Sequence, residues 1–317
     1  MLGRLVGDRL ADAEPEDVWS ETLLDLLAEC DAVVCNLECC ISEGGRRTRA
    51  IPGKPFFFRA PPKAVDALAA ARVSVAGLAN NHALDFGPEA LADTLTHLAR
   101  TRIEVVGAGP DEQTARRGVI VDAGGRKLGV VALSDHPQEY AADPDSPGIA
   151  YARLSDGAPD WVAAELDRLR EQTDLVVAFP HWGPNMTVRP APGQRRCASN
   201  FLLAGADIVA GHSAHVFHGI ELQQRGLILY DIGDALDDYA VDPDLRNDLG
   251  LLALWRPGAA TELELVALKL DFCRTGLADG SDADWVHSRL KHACGELGSR
   301  VERVGVQRFA VRGGESD

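Results

Sequence analysis

The sequence predicts an α/β protein in which two packed β-sheets are covered by helices on their outer faces. Helical and strand-like segments alternate over residues 62–134 and again over 159–210. Strand-like segments without helices between them then follow over 217–270. Alternating helices and strands followed by a β meander are typical of two sheets that pack on each other with the helices outside.

The first half of the chain supplies strands that end in polar residues. Residues 16–29 carry a helical apolar face, and the strand Asp31 to Cys35 ends in Asn36-Leu37-Glu38. The alternation that follows is predicted as helix 62–71, strand 73–79, helix 88–100 and strand 103–107. Two further strands, 118–122 and 127–134, flank the hairpin signal Gly124-Gly125.

The second half repeats the alternation and then changes to strands. An irregular, Pro-rich stretch to about residue 158 is expected to be a loop at the mouth of a site. The next elements are predicted as helix 159–170, strand 174–180, helix 192–204 and strand 206–210. The later strands are predicted at 217–222, 227–231, 248–255 and 261–270, and the tail at one helix from 281 and an edge strand near 303–312. We expect 1–272 to form one domain and 273–317 to be a helical and edge extension of it.

Composition excludes several classes of partner. The chain has 317 residues and a net charge of −16, which repels nucleic acid and anionic lipid surfaces. No run approaches the roughly 18 to 20 apolar residues of a membrane span. The N-terminus lacks the pattern of a secretory signal, so a cytoplasmic location is predicted. A small-molecule or polymer anionic substrate remains compatible with local cations, and the sequence leaves the oligomeric state open.

The densest positive region of this acidic chain is the loop from Gly44 to Pro62. It contains Arg46, Lys54 and Arg59 among Pro and Gly residues. These cations are candidates to bind an anionic substrate. The alternative is a solvated loop that one aromatic side chain pins to the protein.

Three apolar strands end at residues of the types that bind metals. The run Ala206 to Ala210 precedes His212 and His215, and we expect Gly211 to allow the sharp turn between them. The other two strands precede His181 and the pair Asn81-His82. Open α/β sheets place their sites at such strand ends, so these side chains are predicted to converge.

The predicted ligand set mixes oxygen and nitrogen donors: Glu38, Asn81, His181, His212 and His215. Such a set suits Mn²⁺, Fe²⁺ or Zn²⁺. Two metals about 3.5 to 4 Å apart, bridged by a carboxylate and a hydroxide, would provide a nucleophile at neutral pH. His82 is the candidate general acid or charge stabiliser. We expect His136 and His218 to be structural or to support the ligands.

These residues lie in motifs that resemble the bacterial capsule-synthesis, poly-γ-glutamate-biosynthesis family (CapA-type), a branch of the calcineurin-like metallophosphoesterases. The motifs occur in order over about residues 1–255: Asn36-Leu37-Glu38, Lys54-Pro55-Phe56 to Arg59-Ala60-Pro61, Leu78 to Gly87, Val106 to Gly109, His181-Trp182-Gly183 and Gly211 to His215. The resemblance implies a four-layer α/β/β/α sandwich of two packed mixed sheets, with a dimetal centre at the strand ends. It also implies the ligands Asn81, His181, His212 and His215, the catalytic histidine His82, and Glu38 at the second carboxylate motif.

The sequence departs from the family pattern at two places. The family begins with a strand ending in a Gly-Asp ligand ahead of a segment like Met1 to Arg4, and this strand and its Asp are absent from the sequence. Either the true start lies upstream of Met1, or one of the two metals is expected to be bound weakly or not at all. Gly7-Asp8 is a poor substitute because it falls within the expected next helix. Many relatives have Gly-Asn where this chain has Gly233-Asp234. Asp234 and Asn36 complete the expected substrate contacts.

Two functions follow from these expectations. The first is a metal-dependent hydrolase that cleaves a phosphoester or a γ-glutamyl-type amide bond through a metal-bound hydroxide. The alternative is a non-catalytic or degenerate accessory protein of poly-γ-glutamate or capsule polymer biosynthesis.

Overall fold

Two layers of β-sheet pack face to face between two layers of helices in the computed structural model, which describes residues 1–154, 157–259 and 262–313. The α-helices of the described residues are α1 (Arg4–Asp12), α2 (Glu21–Ala28), α3 (Ala64–Ala70), α4 (Gly87–Ala99), α5 (Glu112–Arg116), α6 (Asp160–Gln172), α7 (Pro192–Leu203) and α8 (Gly280–Gly295). Short 3₁₀ turns occupy Pro15–Val18 and Gln138–Tyr140.

The strands of the described residues, in chain order, are β1 (Val33–Asn36), β2 (Cys40–Ile41), β3 (Arg59–Ala60), β4 (Val73–Gly77), β5 (Glu104–Val106), β6 (Ala108–Gly109), β7 (Val119–Ala123), β8 (Arg126–Ser134), β9 (Gly148–Ile149), β10 (Leu175–His181), β11 (Ile208–Ala210), β12 (Ile220–Gln223), β13 (Gly226–Leu229), β14 (Leu249–Trp255), β15 (Leu263–Asp271), β16 (Arg274–Leu277), β17 (Ser299–Arg303) and β18 (Arg308–Gly313).

One sheet layer is a six-stranded mixed sheet in the order β12-β13-β11-β10-β8-β7. Its four central strands are parallel, whereas β7 and β12 pair antiparallel at the two edges. Parallel central strands all present their carboxyl ends at the same edge of the sheet.

The other sheet layer has two parts. One is the parallel three-stranded sheet β1-β4-β5, and the other is the antiparallel sheet β14-β15-β18-β17, to which β16 adds by pairing with β15. Thus β1 and β14 are edge strands of their own sheets.

The layers follow from the alternation of side chains along each strand. In β10, Val177 and Phe179 enter the apolar core between the two sheet layers, whereas Val176 and Ala178 face α6 and α7. Consecutive residues of a strand point to opposite faces, so an uninterrupted apolar run such as Val176 to Phe179 fits a strand that is buried on both sides. Helices α1 to α4 cover the outer face of the three-stranded sheet.

Two of the predicted elements differ from the structure. The single helix expected over 16–29 is interrupted, because Trp19 is extended and the Ser20 side chain accepts the backbone N–H of Leu23 as the N-cap of α2. The edge strand expected near 303–312 is instead β18, which lies between β15 and β17. Buried Phe309 and Ala310 explain this interior position.

Within the described residues, no helix is both long enough and apolar enough to span a membrane.

Candidate metal centre

The predicted metal-binding side chains lie at the carboxyl ends of strands from both sheet layers. His181 ends β10 and pairs in register with His212 beyond β11, while Glu38 and the Asn81-His82 pair follow β1 and β4. Phe179 of β10 lies beneath the histidines, with its ring centroid 4.5 Å from that of His212, and it reaches across to β4 of the other layer. A Cβ atom at Gly77 would lie only 2.9 Å from the same phenylalanine ring. The glycine therefore lets the two layers approach closely beneath the histidines.

The loop Gly211 to His215 is held by its neighbours rather than by a turn at its glycine. Positive φ angles occur at Ser213 (128°) and His215 (59°), and Gly211 is not among the positive-φ residues. A Cβ atom at Gly211 would lie 2.4 Å from Trp182 Nε1 and 2.5 Å from the carbonyl oxygen of Tyr230. Close packing thus requires this glycine, and the expectation that it makes the sharp turn is wrong.

A buried carboxylate clamps the same loop. Asp231 is 2% exposed and accepts the backbone N–H of Ala214 at 2.6 Å and that of Gly233 at 2.8 Å. Burial raises the pKa of Asp231 to about 7, although these two hydrogen bonds oppose the rise. Because Ala214 precedes His215, the clamp fixes the backbone that carries a predicted ligand.

His181 and His212 form a close imidazole pair. Their Nδ1 atoms lie 2.8 Å apart and their ring centroids 4.9 Å apart. Burial lowers the pKa of His181 well below its usual value, helped by the neighbouring His212, and burial together with His215 lowers the pKa of His212 to about 3. Both rings are therefore neutral at pH 7, which is the state that binds metals.

Glu38 lies between two other histidines. Its Oε1 atom is 3.9 Å from His82 Nε2 and 4.0 Å from His215 Nε2. In His215, Nδ1 contacts the Asp234 carboxylate at 3.0 Å. Burial lowers the pKa of His215, but Asp234 and Glu38 outweigh burial and raise it to about 10. A cation bound by His215 must therefore displace a proton.

Four of the five predicted ligands carry a buried polar atom with no hydrogen-bond partner among the described residues. These atoms are Glu38 Oε1, Asn81 Oδ1, His181 Nε2 and His212 Nε2. Unsatisfied buried polar atoms are rare and costly, and several on neighbouring strand ends indicate a missing partner such as an ion. The separation of 4.0 Å between Glu38 Oε1 and His215 Nε2 also approaches the sum of two metal–ligand bonds of about 2.1 Å.

The chemical types of the donors therefore fit a divalent metal, but the side chains lie too far apart to enclose one without moving. No group of three His, Cys, Asp or Glu side chains in the described part of the chain is close enough to hold a metal ion as it stands. That group is limited to His, Cys, Asp and Glu alone and does not include Asn81, which would supply an amide oxygen. The ligand assignments thus stay predictions that the unpartnered atoms support.

His82, the predicted catalytic residue, belongs to a buried network around Asp85. His82 Nδ1 lies 2.6 Å from Asp85 Oδ2, and the Tyr140 hydroxyl donates to Asp85 Oδ1 at 3.2 Å. Lys54 Nζ forms an ion pair with Asp85 at 3.2 Å and donates to the carbonyl oxygen of Asn81 at 2.7 Å. Asp85 is fully buried and fixes the orientation of the His82 ring. Lys54, predicted as a substrate contact, lies inside this network.

The other predicted substrate contacts occupy different surroundings. The Asn36 side-chain amide donates to Glu38 Oε2 at 3.0 Å, so Asn36 orients the glutamate. Arg59 donates to the carbonyl oxygen of Gly44 at 2.8 Å, and its guanidinium lies 4.3 Å from the centroid of the Phe86 ring. Arg46 is exposed on the loop. Asn36 and Asp234 thus contact predicted ligands, and Lys54 belongs to the network around His82. Arg59 packs against the loop that begins at Gly44.

Asp85, Asn80 and Asp231 support the site, although the motifs predicted no role for them. Asn80 donates to Asn36 Oδ1 and to the carbonyl oxygen of Leu37, both at 2.9 Å, and accepts the backbone N–H of His82 at 3.0 Å. A carboxylate three residues after the candidate histidine was the available signal for Asp85. Asp231 follows strand β13 closely, in the acidic segment after that strand, and this position was its signal.

Comparisons with known proteins cover most of the chain. The family described as bacterial capsule synthesis protein PGA_cap matches residues 1–239. A protein of Mycobacterium tuberculosis strain H37Rv named "Probable polyglutamine synthesis accessory protein" is 34% identical over 298 residues, covering 89% of this chain and 78% of its own. The PGA biosynthesis protein CapA of Bacillus subtilis is 26% identical over 240 residues, covering 75% of this chain and 61% of its own. A crystal structure of a hypothetical protein from Thermus thermophilus has a TM-score of 0.43 and 17% identity, covering 82% of this chain and 93% of that one.

Proposed function

Because the chain belongs to the family of the bacterial capsule synthesis protein PGA_cap, we propose that it is a metal-dependent hydrolase that acts on a phosphoester or a γ-glutamyl-type amide bond. The observation that supports this most is the set of unpartnered buried atoms on Glu38, Asn81, His181 and His212. A purely structural role for these side chains would leave the cost of their burial uncompensated.

Glu38, Asn81, His181, His212 and His215 would hold the metal, with Mn²⁺, Fe²⁺ or Zn²⁺ suited to the mixed donors. Divalent metals there would activate water and neutralise charge that develops on the bond being cut. We expect two metals, or one if a further carboxylate ligand is lacking. The neutral His181 and His212 rings each have one nitrogen without a proton, which is available to a cation.

His82 would hold or donate a proton at Nε2, the nitrogen that faces Glu38 Oε1 at 3.9 Å. Asp85 fixes the other nitrogen at 2.6 Å and so selects the ring orientation in which Nε2 faces the site. A general acid here would protonate the leaving group as the scissile bond breaks. Phe58, 1% exposed and 4.1 Å from the His82 ring between centroids, shields the ring from water.

An anionic small molecule or polymer would enter past the loop that carries Arg46, Lys54 and Arg59. Arg46 is the most exposed of these cations and would meet a substrate directly. Lys54 and Arg59 would hold the residues that line the entrance in place, through the contact of Lys54 with Asp85 and of Arg59 with Gly44. Asn36 and Asp234 would orient Glu38 and His215. We place the protein in the cytoplasm as part of this proposal.

The test is hydrolysis by the purified protein with added Mn²⁺ on phosphomonoester, phosphodiester and γ-glutamyl amide substrates. We expect metal-dependent turnover of one class, with turnover reduced at least about 100-fold in His82→Ala. His292→Ala is the matched control, since its side chain is 72% exposed on α8. Inactivity on all three classes, by protein shown to bind Mn²⁺, would count against a hydrolase.

A second candidate is a non-catalytic accessory protein of capsule or poly-γ-glutamate synthesis. It is favoured by the name of the M. tuberculosis relative, which describes an accessory protein. Cells that make the polymer distinguish the two functions. Polymer production that survives His82→Ala but not deletion of the whole chain would favour the accessory role, whereas equal loss in both would favour catalysis.

A further inference from the structure

His136 lies beside the predicted metal ligands although it belongs to none of the motifs that suggested them. It follows β8, and Ser134 at the end of β8 pairs in register with His181 at the end of β10. Strand pairing therefore places His136 at the same sheet edge as His181 and His212. This inference rests on the proposed metal-dependent function.

The spacing of the rings resembles that of the imidazole pair already described. The His136 ring centroid lies 5.0 Å from that of His181, and the His181 and His212 centroids lie 4.9 Å apart. Two imidazoles that bind one ion through bonds of about 2.1 Å have centroids about 4.6 to 5.3 Å apart. His181 thus has two imidazole neighbours, His136 and His212, both at the spacing expected of ligands to one ion.

A carboxylate fixes one nitrogen of the His136 ring. Its Nδ1 atom contacts Asp135 Oδ1, and Asp135 Oδ2 accepts the backbone N–H of Gly183 at 3.1 Å. Gly183 follows His181 by two residues, so the pair is tied to the segment that carries a predicted ligand. Metal-binding histidines commonly donate their second ring nitrogen to a carboxylate, which leaves the first as the ligand atom. His82 and His215 have the same kind of carboxylate partner in Asp85 and Asp234.

We propose that His136 is a further metal ligand, which adds its Nε2 atom to the centre beside His181 while Asp135 fixes the ring. The His136 side chain is 34% exposed, so this ligand would be the solvent-facing one of the imidazole group.

The test is calorimetric titration of the full chain with Mn²⁺ alone, comparing wild type with His136→Phe. Phenylalanine keeps an aromatic ring against His181 but has no nitrogen, so it separates ligation from stacking. We expect His136→Phe to weaken Mn²⁺ binding at least about 10-fold. Asp135→Asn is expected to weaken it in the same direction by a smaller factor. Thermal unfolding of the metal-free variants verifies that both fold.

The outcomes separate this inference from the function on which it rests. Wild-type protein that binds no Mn²⁺ overturns the proposed function and the His136 role together. Wild-type binding that His136→Phe leaves unchanged overturns the ligand role alone and identifies His136 as a stacking neighbour. Binding weakened by His136→Phe but unchanged in His292→Ala supports the ligand role. Absorption spectra of the Co²⁺-loaded protein give an independent readout, because replacing one imidazole ligand alters the visible bands.

Discussion

Asp85 shows how one buried carboxylate can organise a candidate catalytic histidine. Its Oδ1 contacts the Tyr140 hydroxyl and the Lys54 ammonium. Its Oδ2 contacts His82 Nδ1 and also accepts the backbone N–H of Phe58 at 2.6 Å. The lysine compensates the buried negative charge, which would otherwise be costly. The histidine is thereby held in one orientation without a free choice of tautomer.

We predict that Asp85→Asn reduces the turnover number by on the order of 10²- to 10⁴-fold, because an amide no longer favours a proton on His82 Nδ1. Steady-state kinetics on the substrate class that wild type hydrolyses measure this effect. Tyr140→Phe is the matched control, since it removes only the 3.2 Å hydroxyl contact and is expected to cost less than about 10-fold. Equal turnover in wild type and Asp85→Asn would show that the contact between Asp85 and His82 has no catalytic role.

His218 gives a stability effect with a defined pH dependence. It is 1% exposed, its Nε2 donates to the carbonyl oxygen of Thr187 at 2.9 Å, and burial lowers its pKa from 6.5 to about 4. Between pH 4 and 6.5 the unfolded chain binds a proton that the folded chain does not. The contribution of His218 to stability is therefore complete above pH 6.5 and is lost as the pH falls towards 4.

We predict that His218→Gln, which keeps a donor for Thr187, flattens this dependence. On going from pH 7 to pH 4 the wild-type free energy of unfolding should fall by about 3 kcal/mol more than that of the variant. Urea denaturation at several pH values measures the difference. Parallel stability curves for the two proteins would contradict the assignment of a neutral buried imidazole.

At the scale of elements, the strand ends could be predicted because each is an apolar run followed by a small polar cluster. The same local reasoning could not find the contacts between distant segments. Lys54 and Tyr140 are separated in sequence from Asp85 by 31 and 55 residues, and only the packing of their loops joins them. The register that pairs Ser134 with His181 likewise depends on the assembled sheet. The position of His136 beside the ligands could therefore not be predicted from the sequence.

The loop between β11 and β12 gives a prediction about packing. Gly211→Ala is expected to destabilise the fold by about 1 to 3 kcal/mol, because the added methyl overlaps Trp182 and the Tyr230 carbonyl. The change should also weaken Mn²⁺ binding, since His212 is the next residue. Denaturation and calorimetry on one preparation measure both effects.

Gly295→Ala is the control for this substitution. A Cβ atom at Gly295, the last residue of α8, would have no heavy atom within 4 Å. We expect its stability to stay within about 1 kcal/mol of wild type, because alanine suits a helix better than glycine. A Gly211→Ala variant as stable as Gly295→Ala would refute the packing explanation.

At the scale of the whole molecule, two sheet layers meet beneath the candidate centre, so its ligands join the three-stranded and six-stranded sheets. Glu38 and Asn81 come from the first, and His181 and His212 from the second. The layered fold could be predicted from the alternation of elements and from the family motifs. The division of one layer into two sheets, and the interior position of β18, required the structure because both are set by pairing between distant strands.

A cation shared between the two layers should stabilise their packing. We predict that Mn²⁺ at about 100 times its dissociation constant stabilises the fold by about 2.7 kcal/mol and raises the melting temperature by about 4 °C. Excess chelator should reverse the shift. Scanning calorimetry with and without Mn²⁺ measures it, and the double variant His181→Ala/His212→Ala should show no shift. A shift of equal size in that variant would place the bound metal elsewhere.

Anomalous diffraction from crystals grown with Mn²⁺ tests the proposed metal centre, because it locates the ion without reference to activity. We predict an anomalous peak within about 2.0 to 2.3 Å of His181, His212 and Asn81 donor atoms, and a second near Glu38 and His215 if two metals bind. Crystals soaked to saturation that show no peak among these side chains, or a peak only at some other part of the surface, would contradict it.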